Sequence, residues 1–209
     1  LVLRGDMMID RLIKGAEPAA LAVRTMYAWD AMEVRESDGQ NRGPIVDMIH
    51  ALAGADPRDA APWCARCVHA AWRVGGWASG KVIDPRISTS GSVFYLLHTT
   101  INRAPEQTIL TADITDPVAQ VPVGAAMIRY SIKREHRAVK FGDLKRKMTE
   151  KGHTEIVVKA YPNGDLDTIG GNTDSDTARD GDGVYFHSKR YNISETRVVG
   201  FVIPRWVSA

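Results

Sequence analysis

Two cysteines, Cys64 and Cys67, are all that 209 residues contain, too few for a disulfide framework. A mutual bridge at their spacing on one helix needs a redox-type geometry. No apolar run approaches the roughly 18 to 20 residues that cross a bilayer, so no membrane span is expected. The opening LVLRGDMMIDRLIKG lacks the uninterrupted apolar core of a secretory signal. An excess of one charge is also missing. The formal net charge is +2, too small to argue for nucleic acid. The hydrophobic share of 44% and the charged share of 25% are those of an ordinary globular protein. The length fits one domain, or one domain with an added helical arm.

Residues 6–14 can form a short amphipathic helix stopped at Gly15. Glu17-Pro18 opens a second helix to about Glu33, with Leu21, Met26, Trp29 and Met32 at helical spacing. We take residues 1–34 as an N-terminal helical arm and 35–209 as the main domain. After a polar loop at 35–43, Pro44 starts a helix that Gly54 ends. Pro62 stands where the next helix begins. That helix runs from Trp63 to about Val74 and stops at Gly75-Gly76. The apolar part of 84–104 reads as a helix, with a strand as the alternative. The second half changes period: VPVGAAMIRYS, TEIVVKAY, DLDTIG, GVYFHSKR and RVVGFVIP are strand-like. Asn163-Gly164 signals a hairpin. Helices followed by an antiparallel meander make an α+β arrangement.

Residues 132–151 carry eight Lys/Arg against three Asp/Glu. They read as a solvated connection, or as a basic flap for an anionic polymer, whose binding would fall steeply with salt. Asp174, Asp176, Asp180 and Asp182 form an acidic loop whose spacing does not match an EF-hand.

Cys64 lies in the first turn of its helix, where exposed N–H groups and the helix dipole favour a thiolate. Its own backbone N–H is a ready oxyanion donor. Taken alone, it reads rather as a buried structural cysteine. Cys67, one turn on, reads as core. A zinc pair would need two further ligands, which no Cys or His pair supplies. His153, after Gly152, opens a strand and suits a general base. Asn172, beside Gly170-Gly171, has an amide oxygen able to hold one nitrogen of His153. Each of these also reads as an ordinary turn residue. His69 points away from Cys64, and His187 reads as a surface or sheet-face histidine. Trp63 is expected to pack the helix on the sheet or to line a substrate groove. Asn41 is a candidate second oxyanion donor.

The segment PWCARCVHAAW resembles the nucleophile helix of papain-like amidohydrolases of the CHAP and NlpC type, found in phage endolysins and bacterial cell-wall hydrolases. NRGPIVDMIHALAG resembles the preceding helix in a phage-lysin subgroup. VPVGAAMIRYS resembles the family's Gly-Asp-containing strand. GHTEIVVKAYPNGDLDTIGGNTD resembles its Gly-His strand, hairpin and Gly-Asn turn, and RVVGFVIP its closing strand. The resemblance spans roughly residues 40–205. It departs at Gly170, where many members have a Glu that helps orient the histidine, and at Ala125, where an Asp is common.

The resemblance implies a papain-like fold and a Cys64–His153–Asn172 site that cleaves an amide of peptidoglycan, with substrate contacts at Trp63 and Asn41. It implies no cofactor or metal, a monomer, and a protein acting at the cell wall from the host cytoplasm or encoded by a phage. The departure at Gly170 favours a second reading: a non-catalytic relative that binds the wall or builds a phage particle.

Overall fold

The computed structural model describes residues 17–130, 152–173, 181–195 and 197–209. The first expected helix, the basic segment 132–151 and three of the four aspartates of the acidic loop lie outside them. The described elements run α1 (Pro18–Ala31), α2 (Pro44–Leu52), α3 (Cys64–Ala78), β1 (Lys81–Ile83), α4 (Val93–Arg103), β2 (Thr108–Leu110), α5 (Pro117–Gln120), β3 (Ala126–Tyr130), β4 (Gly152–Ala160), β5 (Asp165–Thr173), β6 (Gly183–Asn192), β7 (Val198–Val202) and β8 (Trp206–Ser208). The result is a mixed α+β architecture. A six-stranded antiparallel sheet has the order β2-β7-β3-β4-β5-β6, and β1 pairs with β8 in a small second sheet.

The local reasons are those of the sequence. Pro18 and Pro44 sit at the first positions of α1 and α2, where a missing N–H costs nothing. Ser92 caps α4 by accepting from the Tyr95 N–H. At the β4–β5 hairpin Gly164 takes φ +85°, a conformation open to glycine. Tyr161 and Asp165 close that turn by a backbone bond of 2.9 Å.

The sheet separates two apolar layers. On the helical side Met26, Trp29, Ile49, Trp63, Cys67, Trp72, Phe94 and Leu97 pack on Ile128, Ile156, Ile169 and Val202. Behind it Met127, Val157, Leu166, Tyr191 and Phe201 form a smaller cluster. Burying each large side chain contributes about 1.5–3 kcal/mol. Residues 18–31 belong to the first layer, so this part of the expected arm is core.

The Trp63 helix does not stop at Gly75-Gly76 but runs on to Ala78. These glycines are contact positions instead. A Cβ on Gly75 would lie 2.4 Å from the Pro18 carbonyl oxygen, and one on Gly76 2.8 Å from the Lys81 carbonyl oxygen. The absent side chains let α1 and β1 approach the α3 backbone. Among the described residues no helix is long and apolar enough to cross a membrane.

Candidate active site

Cys64 is the first residue of α3 and is buried. His153 is the second residue of β4, and its imidazole lies close enough to the Cys64 thiol for each to shift the other's pKa. Burial pushes the thiol pKa up. The hydrogen bond and charge of His153, with the backbone N–H groups of Thr154 and Ala65, outweigh this and leave it below the ordinary thiol value. Burial and the Arg129 charge press the His153 pKa down, but its bonds to Cys64 and Glu155 leave it above the ordinary imidazole value. Both shifts favour thiolate facing imidazolium.

The far side of His153 rests on Glu155. His153 Nε2 donates to Glu155 Oε1 at 3.1 Å, because a carboxylate can only accept. This leaves Nδ1 for sulfur. Glu155 is completely buried and takes three further bonds. Tyr191 Oη donates to Oε1 at 2.9 Å, Thr168 Oγ1 to Oε2 at 2.6 Å, and His187 Nδ1 to Oε2 at 2.9 Å. Burial opposes ionisation, yet the bonds from both histidines hold the carboxyl well below its usual range.

A second tier fixes these donors. Arg190 donates to His187 Nε2 at 2.5 Å, which makes Nε2 the acceptor and keeps the proton bonded to Glu155 on Nδ1. Arg129, which pairs with His153 across β3 and β4, donates to Tyr191 Oη at 3.1 Å. A chain of bonds thus runs Arg190, His187, Glu155, His153, and His153 faces the Cys64 thiol.

Asn172 does not hold the ring. With its amide turned so that both ends are paired, it accepts from the Trp63 backbone N–H at 3.2 Å and donates to the Gly181 carbonyl at 2.7 Å. It secures the residue before Cys64, from a left-handed backbone of φ +54°. The amide's other orientation offers only a 3.4 Å bond to Asn41 Oδ1.

Trp63 offers no face to a substrate groove, being 0% exposed. Its indole N–H donates to Glu36 at 2.9 Å, and its ring lies where a Gly171 side chain would stand, 2.5 Å from the ideal Cβ. Asn41 is also buried and donates its amide to the Ala60 carbonyl at 3.1 Å, so that N–H is engaged rather than free for an oxyanion. The backbone N–H of Cys64, at the helix start, lacks a partner in the helical ladder.

Cys67 is core, as expected. It is buried against Met26 Sδ at 3.6 Å, and burial pushes its thiol pKa well up. His187, read as a surface or sheet-face histidine, lies on a sheet face and is buried in the Glu155 network. His69 is buried away from the site, which pushes its pKa down to about 3. No group of three or more His, Cys, Asp or Glu side chains among the described residues is arranged to hold a metal.

The missing orienting carboxylate has a structural answer. A Cβ on Gly170 would lie 2.5 Å from Glu155 Cγ and 3.0 Å from its Cδ. The Glu155 side chain fills the space in front of Gly170. The sequence carries the signal in His153 and Glu155, two apart on one strand and so on one face. Compared with protein-family models, curated proteins and solved structures, the chain matches none of them.

Proposed function

We propose that the chain is a papain-like cysteine hydrolase that cleaves an amide bond of bacterial peptidoglycan. The observation that carries this reading is the contact of the helix-opening Cys64 with His153, whose other nitrogen is held by a buried, fully bonded Glu155. Nucleophile, base and orienting group stand in the order that acyl transfer requires. Cys64 Sγ attacks the amide carbon. The Cys64 backbone N–H receives the developing oxyanion. His153 protonates the departing amine and then activates the water that hydrolyses the thioester. Glu155 holds the ring and balances its charge.

The substrate class rests on the sequence resemblance. The reading as a non-catalytic relative rested on Gly170, and Glu155 supplies the carboxylate that glycine lacks.

The test is digestion of purified cell walls by the wild type and by Cys64→Ala, with mass analysis of the released fragments. Activity lost in Cys64→Ala supports the thiol mechanism, and the fragments identify the amide. Equal activity in both proteins, or none in either across several wall types, overturns the assignment.

A further inference from the structure

Cys64 and Cys67 are the first and fourth residues of α3. Side chains three apart on a helix share a face, with Cβ atoms about 5–6 Å apart. A disulfide needs about 3.5–4.5 Å, so closing one asks for a movement of about 1–2 Å. Cys64 is placed to make it, since the first N–H of a helix has no partner in the helical ladder. The first ladder bond here is from the Cys67 N–H to the Trp63 carbonyl, at 2.7 Å.

The two sulfurs have different surroundings. Cys64 touches His153 and the N–H groups of Thr154 and Ala65. Cys67 is sealed among Met26, Gly171 and its own helix, with 0% exposure. Cys64 lies one turn before it on the same helix, near enough for its charge to act on Cys67.

We propose that Cys64 and Cys67 form a reversible redox modification site, in which a peroxide oxidises Cys64 and Cys67 then closes a disulfide that silences it. The Cys64 thiolate attacks a peroxide oxygen and the O–O bond breaks. Sulfur is oxidised to a sulfenic acid while the peroxide is reduced to water or an alcohol. Cys67 sulfur then attacks Cys64 sulfur. The S–S bond forms, the S–O bond breaks, and the departing hydroxyl takes the Cys67 proton away as water. A dithiol reverses the bridge by two exchange steps and leaves as its own disulfide. The silencing rests on Cys64 being the hydrolytic nucleophile; the oxidation does not.

The experiment treats the full chain with hydrogen peroxide and follows mass, iodoacetamide-reactive thiols and wall digestion, before and after dithiothreitol. Trypsin, cutting after Arg66, separates the two cysteines onto different peptides unless a bridge joins them. The expected wild-type product has lost two hydrogens, yields the joined peptide, digests no wall and recovers most of its activity with dithiothreitol. Cys67→Ser, with Cys67→Ala as a second variant and circular dichroism as the check on folding, should stall at the dimedone-reactive sulfenic acid. It should then gain further oxygens that dithiothreitol does not remove. Wild type and both variants collecting the same oxygen adducts at the same rate, with no joined peptide, would overturn the proposal. A joined peptide in a chain that digests no wall before oxidation would uphold the redox site and count against the hydrolase reading alone.

Discussion

Glu155 and Gly170 occupy one space from two neighbouring strands. The ideal Cβ of Gly170 falls 2.5 Å from Glu155 Cγ, closer than packed atoms approach. A side chain at either position therefore excludes one at the other, and a carboxylate from either strand would reach the same place behind His153. Gly170→Ala should lose about 1–3 kcal/mol of stability by overpacking. Glu155→Gly should lose about 3–5 kcal/mol, the scale for breaking a buried charged pair, together with most activity. The combination Glu155→Gly/Gly170→Glu should recover part of both. Denaturant melts and a wall-digestion assay on the double-mutant cycle check this. A double variant no better than additive would mean that the two positions do not share one site.

The charge on Cys64 depends on His153, and this fixes a pH window. A thiol pKa below its ordinary value and an imidazole pKa above its own bring the two titrations together and favour thiolate–imidazolium over what the free groups would show. Activity should follow a bell in pH whose two limbs report the coupled titration of this pair. Iodoacetamide alkylation of Cys64 should have its midpoint below the free-thiol value of about 8.5. In His153→Ala burial is opposed only by the N–H groups of Thr154 and Ala65, so the alkylation midpoint should move up. A midpoint that stays put in His153→Ala would show that the helix terminus, not the histidine, activates the thiol.

Asn172 provides a contrast. Its bonds go to the Trp63 N–H and the Gly181 carbonyl, not to the ring. Asn172→Ala should cost about 1 kcal/mol, the net worth of a typical hydrogen bond. It should also lower activity by loosening the turn before Cys64. It should leave the pH midpoints of alkylation where they are, because nothing it touches titrates with the pair. A shifted upper limb of the pH profile would restore Asn172 to the role of ring holder.

Most elements were legible because their signals are local. Pro18, Pro44 and Asn163-Gly164 each specify a backbone conformation on their own. Cys64 and His153 were legible for the same reason, one opening a helix and the other opening a strand. What escaped was relational. Glu155 became an orienting group only once Gly170, Thr168, His187 and Tyr191 surrounded it, and strand pairing decides that. His187 lies in an alternating strand whose buried face no sequence signal marked. Trp63 beside a cysteine reads as a packing residue or a groove residue, and its enclosure by Glu36 and Gly171 decides for packing. The short strands β1, β2 and β8, each three residues long, are too brief to show a period.

Gly75 sets helix propensity against packing. In an exposed helix interior Gly→Ala gains about 1 kcal/mol, and propensity alone predicts that Gly75→Ala stabilises α3. The structure predicts the opposite sign. The new methyl would meet the Pro18 carbonyl oxygen at 2.4 Å and the Ala22 nitrogen at 2.9 Å. Both are backbone atoms of α1 and cannot turn aside as a side chain would. Relief requires α1 to move off α3, opening the layer that holds Ala22 and Met26 against Cys67 and Trp72. Overpacking of this kind costs about 1–3 kcal/mol, which outweighs the propensity gain in most of its range. For a chain of this size each kcal/mol moves Tm by about 2–4 °C, so Gly75→Ala should melt several degrees below wild type. A melting point at or above wild type would mean that α1 rests on α3 more loosely than the 2.4 Å approach implies, and that the glycine marks flexibility rather than contact.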